Sequence, residues 1–171
     1  AGKFTGWEPM LLLGTDLYGS VLGLVGTGRI GAQVAQLGRA IGMQVVYHDV
    51  TRNKSLEASC HAVYCQSIEE VLRQADVVSL HVPLLPTTRH LLNMERLSLM
   101  KPTALLVNTS RGAVVDESAL VQALQAKMIA GAGLDVFEHE PRLVDGLAQL
   151  PNVVLTPHIA YNTLEAVERI N

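Results

Sequence analysis

Closely spaced glycines follow the first apolar stretch of this 171-residue sequence. The string GTGRIG at positions 26–31 has the form G-x-G-x-x-G, directly follows the apolar run Val21–Val25 and opens the amphipathic stretch Arg29–Ile41. In such a strand–loop–helix unit the first glycine permits a tight turn, Gly28 lets the backbone approach a phosphate, and Gly31 allows close packing of helix on strand. Unpaired N–H groups at the helix start attract the anion, with help from the helix dipole. The pattern predicts a pyrophosphate-binding loop of the kind that holds a dinucleotide.

A carboxylate follows at the position where such a dinucleotide has its ribose. Asp49 ends the second apolar run, Gln44–His48, and lies about 18 residues after Gly31, close to the usual spacing. A carboxylate there accepts hydrogen bonds from both hydroxyls of an adenosine ribose and repels a 2′-phosphate, so NAD is favoured over NADP. Arg52 lies three residues further on and offers a cation to a 2′-phosphate, which leaves NADP as the less favoured alternative.

Three side chains suited to acting on a small acid follow apolar runs in the second half of the chain. Arg111 comes shortly after the run Ala104–Asn108, and His158 comes after the last run. A guanidinium clamps a carboxylate through two parallel hydrogen bonds, and an imidazole serves as a general acid or base near neutral pH. Either Glu138 or Glu140 is placed to hold the imidazole, and the residue types leave both open. With a nicotinamide as hydride donor, this set suits the reduction of a 2-oxo acid.

The elements that position these residues alternate in a regular order. Continuous apolar runs are typical of strands covered on both faces, and amphipathic stretches between them are typical of helices. The predicted strands are Val21–Val25, Gln44–His48, Val77–His81, Ala104–Asn108, Ala130–Asp135 and Val153–Thr156. The predicted helices are Arg29–Ile41, Ser67–Gln74, Asn93–Leu99 and Asp116–Gln125, with Ser67 and Asp116 as N-caps. This order predicts an α/β fold with a doubly wound parallel sheet, the Rossmann-type NAD(P)-binding architecture.

One helix carries a clear apolar stripe. Ile30, Val34, Leu37 and Ile41 lie on a single face of the first predicted helix, as in a helix that packs on a core.

The composition excludes several classes of protein. With 49% apolar and 17% charged residues, the chain differs from disordered sequences, and a net charge of −3 without a basic stripe argues against a nucleic-acid partner. No apolar run is long enough for a membrane span. The histidines and the two cysteines lack the spacing of metal ligands, so no metal is expected. Two cysteines are too few for a disulfide scaffold and favour reduced thiols in the cytoplasm.

Several stretches together resemble one protein family. They are GLVGTGRIGAQVA at 23–35, DVVSLHVPLLP at 76–86 with Thr88, LVNTSRGAVVDE at 106–117, GAGLDVFEHEP at 131–141 and LTPHIA at 155–160. Their order and spacing resemble the nucleotide-binding domain of the D-isomer-specific 2-hydroxyacid dehydrogenase family. The lead-in Trp7-Glu8-Pro9-Met10, followed by Gly14, is most similar to the glyoxylate and hydroxypyruvate reductase branch.

The resemblance implies the roles of particular residues. Arg111, Glu140 and His158 correspond to the catalytic arginine, acid and histidine, and Glu140 is preferred to Glu138 because the family's acid directly precedes a proline, here Pro141. The cofactor is expected to contact the glycine loop, Asp49 and several strand-end residues. These positions are Gly26, Gly28, Arg29, Ile30, Gly31, Asp49, Val82, Pro83, Thr88, Thr109, Ser110, Arg111, Asp135, His158 and Ala160.

The resemblance also implies a domain organisation and an activity. Residues 1–18 are expected to be a lead-in segment and residues 19–171 a dinucleotide-binding domain, with the family's substrate domain absent from this chain. The expected reaction transfers a hydride between nicotinamide and a small 2-oxo or 2-hydroxy acid, glyoxylate or hydroxypyruvate being favoured, and this half alone is expected to be inactive. The alternatives are a phosphoglycerate or D-lactate dehydrogenase and a non-catalytic, NAD-sensing protein similar to corepressors. The expected partners are the small acid and a second copy in a homodimer, without nucleic acid or membrane, in the cytoplasm.

Overall fold

A seven-stranded parallel sheet organises the protein. The computed structural model describes Gly6 and residues 13–170, so the lead-in residues 7–10 lie outside the described residues. Within that part the strands are β1 Val21–Val25, β2 Gln44–His48, β3 Val63–Tyr64, β4 Val77–Leu80, β5 Leu105–Asn108, β6 Gly131–Leu134 and β7 Val153–Leu155. The helices are α1 Arg29–Ala40, α2 Lys54–Cys60, α3 Ile68–Gln74, α4 Met94–Leu97, α5 Glu117–Gln125 and α6 Leu164–Ile170, with short 3-10 helices at Gly112–Val114 and Leu147–Gln149.

The strand order creates a crevice at one edge of the sheet. The order is β3-β2-β1-β4-β5-β6-β7, so the direction of winding reverses between β1 and β4. In register, Val25 of β1 lies beside His48 of β2 and Leu80 of β4, which brings three carboxyl ends together. Ligands of open parallel sheets bind at this reversal. The predicted doubly wound α/β fold is confirmed.

The core has separate parts on the two sides of the reversal. The larger part packs side chains such as Leu80, Leu106 and Leu120 between the second half of the sheet and its helices. A smaller part packs Leu24 and Tyr47 around the first two strands. The central strands β1, β2 and β4 are mostly buried, which explains their continuously apolar sequences, whereas Val63 of β3 and Val154 of β7 are exposed.

The structure also contains elements that the sequence pattern did not predict. Helix α2, strand β3 and helix α6 are absent from the predicted list; β3 has only two residues, too few to form an apolar run. The N-cap of α2 is Asn53, whose side chain accepts a hydrogen bond from Leu56 N–H. The predicted caps Ser67 and Asp116 are present, accepting hydrogen bonds from Glu70 N–H and Ala119 N–H.

The expected orientation of α1 was wrong. Ile30 and Leu37 are 69% and 68% exposed, and Ile41 is also exposed, whereas Gly31, Ala35 and Gly38 are the buried residues of this helix. The reason is steric: a methyl group at Gly31 would overlap the carbonyl of Gly26, and one at Gly38 would overlap the side chain of Leu22. Helix α1 lies so close to β1 that only small residues fit between them, and Ile30, Leu37 and Ile41 are exposed to solvent. Val34, the fourth residue of the predicted stripe, is half-buried and packs against the smaller part of the core.

Candidate active site

The glycine loop is tightly packed at Gly26 and open at Gly28. Gly26 has φ +91°, and a Cβ there would lie 2.8 Å from the carbonyl oxygen of His81. A Cβ on Gly28, by contrast, would meet no atom within 4 Å. The first hydrogen bond of α1 runs from Ala32 N–H to Gly28 O, so the preceding N–H groups have no partner within the helix. The open space over Gly28 therefore adjoins free donors, as a pyrophosphate requires.

Asp49 is fixed beside this loop. Its Oδ2 accepts hydrogen bonds from Thr27 N–H at 2.6 Å and from Thr27 Oγ1 at 3.0 Å, and Thr27 is itself buried. Its Oδ1 has only a long contact of 3.4 Å with Thr51 N. The carboxylate thus keeps one oxygen for ribose hydroxyls at the carboxyl end of β2.

His158 and Glu140 form a hydrogen-bonded pair. His158 Nδ1 lies 2.9 Å from Glu140 Oε2, and Glu140 Oε1 accepts a hydrogen bond from Phe137 N–H at 2.9 Å. The hydrogen bond with His158, followed by that from Phe137, lowers the pKa of Glu140, so the carboxylate stays ionised. His158 has φ +57°, a backbone conformation that non-glycine residues adopt mainly where surrounding contacts enforce it. The imidazole is 41% exposed, which leaves it open to a substrate.

A buried carboxylate holds the turn that carries His158. Asp135 is 4% exposed, and it accepts hydrogen bonds from Thr156 Oγ1 at 2.5 Å and from the N–H groups of Ile159 and Ala160 at 2.9 Å. Burial alone raises the pKa of Asp135, but these hydrogen bonds outweigh it and leave the pKa lowered. Asp135 and Ala160 were predicted as cofactor contacts, and the structure joins them to each other beneath His158.

Arg111 lies on a turn that a buried amide holds. Asn108 is 1% exposed; its Oδ1 accepts hydrogen bonds from Ser110 N–H and Oγ, and its Nδ2 donates to Arg111 O at 3.0 Å. The Arg111 side chain is exposed and donates from Nη1 to Ser110 O. Thr109 is exposed in the same turn. Arg111, Glu140 and His158 all line one cleft of about 330 Å³.

Glu138 has different partners from Glu140. It lies 2.7 Å from Arg89 Nη2 and 2.8 Å from His90 Nε2, and its backbone N–H donates to Glu117 Oε1 at 2.7 Å. Glu117 is 2% exposed, and its Oε2 has no hydrogen-bond partner among the described residues. Burial raises the pKa of Glu117. The structure therefore pairs His158 with Glu140 and uses Glu138 to join the loop after β6 to the loop after β4.

The other predicted cofactor positions lie along the same edge of the sheet. Val82 follows β4 and packs beside Gly26. Thr88 closes the loop after β4 by donating from Oγ1 to Pro83 O at 2.6 Å. Arg29 and Ile30 are exposed at the start of α1.

Comparison with known proteins identifies the family. Residues 1–160 match the family described as D-isomer specific 2-hydroxyacid dehydrogenase, NAD binding domain. The chain belongs to this family.

Individual relatives agree with this assignment. The chain is 50% identical over 162 residues to a glyoxylate reductase of Aeropyrum pernix, which covers 94% of the chain and 48% of the relative. The crystal structure of the TT0316 protein from Thermus thermophilus superposes with a TM-score of 0.91 at 50% identity, covering 99% of this chain and 52% of that one. The structure of D-lactate dehydrogenase with NAD⁺ from Lactobacillus jensenii has a TM-score of 0.86 at 36% identity, covering 96% and 53% of the two chains. The chain thus spans about half the length of the relatives it matches.

NAD is the cofactor of this 2-hydroxyacid dehydrogenase domain, as predicted. The residues at the loop fit this cofactor: open space over Gly28 adjoins helix N–H groups, and Asp49, directly after β2, has one carboxylate oxygen without a strong hydrogen bond. No group of three or more metal-ligating side chains occurs among the described residues, and none of their helices is long and apolar enough to cross a membrane.

Sequence reasoning missed the residues that support the site. Asn108, Glu117 and Thr27 were not among the predicted site residues, and each makes hydrogen bonds that hold a loop or turn of the site. The available signal was a polar side chain at the end of an otherwise apolar strand, as at Asn108, or in the first turn of a helix that follows the site, as at Glu117.

Proposed function

We propose that this chain is the cofactor half of an enzyme that transfers a hydride between NAD(H) and a small 2-oxo or 2-hydroxy acid, with glyoxylate or hydroxypyruvate as the favoured substrate. One observation carries the proposal. A guanidinium, an imidazole and the carboxylate paired with that imidazole line a single cleft at the edge of the sheet where the glycine loop lies.

The side chains divide the chemistry of reduction between them. Arg111 binds the substrate carboxylate through its planar guanidinium, which orients the adjacent carbonyl group. Bound NADH supplies the hydride to the carbonyl carbon. His158 donates the proton that the carbonyl oxygen gains, giving the 2-hydroxy acid, and takes it back when the reaction runs in reverse. Glu140 stabilises the protonated imidazole and fixes its orientation through Nδ1.

The domain limits are part of the proposal. We assign residues 19–171 to the dinucleotide-binding domain and residues 1–18 to a lead-in, with the substrate domain in the portion of the parent protein outside this chain. Arg111 is exposed here, where water and salt weaken its contact with a carboxylate. The chain alone should therefore bind NADH without catalysing turnover.

The test has two arms. Calorimetry of the 171-residue chain with NADH should show binding, and a panel of 2-oxo acids on the complete parent enzyme should show fastest NADH oxidation with glyoxylate or hydroxypyruvate. A parent enzyme that binds NADH but reduces no 2-oxo acid would refute the enzymatic proposal in favour of an NAD-sensing protein. Faster reduction of pyruvate or a phosphorylated hydroxypyruvate would replace the favoured substrate.

We also propose that the protein is a cytoplasmic homodimer. The exposed apolar face of α1, formed by Ile30, Leu37 and Ile41, supports this, because an apolar stripe on a surface helix commonly marks an interface. Leu37→Glu should convert a dimer to a monomer in sedimentation velocity while leaving the far-UV circular dichroism unchanged. A monomeric wild-type protein at 50 µM, roughly the upper range of such experiments, would contradict the dimer.

A further inference from the structure

An ion pair lies next to the predicted ribose site. Arg52, three residues after Asp49, donates from Nε to Glu57 Oε1 at 2.7 Å and from Nη2 to Glu57 Oε2 at 2.9 Å. The guanidinium also lies over the ring of Tyr64, 5.6 Å from its centroid. This two-point geometry fixes the plane of the guanidinium, which a single contact would leave free to rotate. Arg52 is thus held toward α2 by an acid and an aromatic ring together.

Glu57 is itself anchored to the core. Its Oε1 accepts a hydrogen bond from the hydroxyl of the buried Tyr47 at 2.7 Å, and that hydroxyl accepts one from Asn53 N–H at 2.8 Å. The Asn53 side chain caps α2 and donates to Thr27 O in the glycine loop at 3.1 Å. Glu57 is therefore tied to β2 and, through two further hydrogen bonds, to the loop that receives the pyrophosphate.

The contacts of Glu57 keep its carboxylate ionised. Hydrogen bonds from Arg52 and then from Tyr47 lower the pKa of Glu57, while burial and the bond to Glu57 raise the pKa of Tyr47 to about 12. Glu57 is thus an anion and Tyr47 a neutral donor throughout the physiological range. The only other basic residue between Asp49 and Cys60 is Lys54, one turn before Glu57 on α2, and its charge also favours the ionised form of Glu57.

We propose that Glu57 is a specificity-determining residue for the dinucleotide, because it holds Arg52 away from the position of a 2′-phosphate. This inference rests on the proposed NAD(H)-dependent function. Selectivity for NADH over NADPH then has two layers. In the first, Asp49 repels the 2′-phosphate; in the second, Glu57 binds Arg52, the cation that would attract this phosphate. Replacing Asp49 alone leaves the second layer in place.

Glu57→Gln isolates the second layer. The glutamine oxygen can still accept the hydrogen bond from Tyr47, whereas the charge that holds Arg52 and the acceptor for Arg52 Nη2 are both lost. Fluorescence titration of the 171-residue chain should show NADPH binding about fivefold tighter, the effect expected from releasing an exposed ion pair, with NADH affinity changed less than about twofold. The gain should shrink at 0.5 M salt, roughly the range where surface ion pairs are screened. Glu57→Gln combined with Arg52→Gln should abolish it.

Two further variants complete the test. Glu69→Gln breaks a comparably exposed pair, Arg96–Glu69 at 2.9 Å, and should leave both affinities unchanged. Arg52→Gln alone should leave NADPH binding unchanged, because in the wild-type chain the Arg52 guanidinium is already bound to Glu57 and does not contact the 2′-phosphate. This variant tests the idea independently if Glu57→Gln fails to fold.

The outcomes separate the inference from the function on which it rests. If the wild-type chain binds NADH but folded Glu57→Gln binds NADPH no better, the role of Glu57 is refuted and the proposed function stands. The role is equally refuted if Arg52→Gln alone weakens NADPH binding, since Arg52 would then already contact the phosphate. If the wild-type chain binds neither dinucleotide, the proposed function fails first.

Discussion

Replacing Gly28 by alanine should separate cofactor binding from folding. The backbone at Gly28 has φ −63° and ψ −167°, which alanine adopts without strain, and a methyl group there meets nothing within 4 Å. Gly31 differs in two respects: it is buried, and a methyl group there would overlap the carbonyl of Gly26. The two substitutions add the same methyl group to the same loop, one into open space and the other into packed backbone.

The expected magnitudes follow from these surroundings. Gly28→Ala is a slightly poorer N-cap but reduces the entropy of the unfolded chain, so stability should change by less than about 1 kcal/mol, or roughly 2–4 °C in Tm. The methyl group occupies the space over the free N–H groups and costs at least one charge-assisted hydrogen bond to the pyrophosphate. That loss is worth about 1.5–3 kcal/mol, or roughly 10- to 150-fold in Kd for NADH. Gly31→Ala should lose about 1–3 kcal/mol of stability through overpacking, lowering Tm by roughly 2–12 °C.

The assay combines thermal unfolding with calorimetric titration of NADH on the same samples. Gly14→Ala provides the control, because a methyl group there also meets nothing within 4 Å but lies in the exposed lead-in. Gly28→Ala with unchanged NADH affinity would show that the pyrophosphate does not lie over this residue. A strongly lowered Tm in that variant would show that the space is occupied by the protein, and the steric argument would fail.

Other substitutions test the remaining parts of the site. Asp49→Ser should weaken NADH binding about 10-fold in a titration, by loss of hydrogen bonds to the ribose, while NADPH gains little as long as Glu57 holds Arg52; a full switch to NADPH would contradict this. His158→Ala should lower kcat of the complete enzyme about 10²–10⁴-fold with NADH affinity nearly unchanged, and a parallel loss of NADH affinity would argue for a structural role. Glu140→Gln should lower kcat of the complete enzyme, because a glutamine no longer offers acceptor oxygens to both His158 Nδ1 and Phe137 N–H, and an unchanged kcat would remove Glu140 from the assignment. Burial raises the pKa of Glu117, so the wild-type protein loses stability as pH rises through that raised value. Glu117→Gln should therefore be more stable than wild type in urea unfolding at about pH 8, and this gain should vanish near pH 4. A gain in stability that does not depend on pH would contradict a buried charge at Glu117.

The sequence predicted the strands well because their environment is simple. β1, β2 and β4 are covered by helices on both faces, so almost every residue is apolar and the run is easily recognised. Helix α1 shows the limit of the same reasoning. An apolar stripe indicates a face that avoids water, but it does not say whether the sheet or another surface covers that face. The close approach of α1 to β1, which excludes large residues, decided the matter.

The sequence suggested candidate residues for the site, but it could not show which acid pairs with His158 or which residues support the turns. The residue types left Glu138 and Glu140 equivalent, and the structure separates them because Phe137 N–H orients Glu140 while Arg89 and His90 engage Glu138. The contacts of Asp135 with Ile159 and Ala160 join residues more than 20 positions apart. Such contacts depend on which strands are neighbours, and a single sequence gives no direct signal for them.

The buried polar residues that support the candidate site act in the same way, and together they keep its geometry. Two turns are held by a polar side chain buried at the end of a strand: Asn108, the last residue of β5, holds the turn of Arg111, and Asp135, directly after β6, holds the turn of His158. Burying an amide or a carboxylate is costly, and the cost is recovered only if all its hydrogen bonds are made, which fixes the turn in one conformation. His158 and Arg111, the proposed proton donor and carboxylate clamp, are therefore positioned by contacts within this domain. Because preorganised groups act most strongly where water is excluded, we expect the proposed enzyme to need closure of the cleft over Arg111 rather than movement of the proposed catalytic side chains into place.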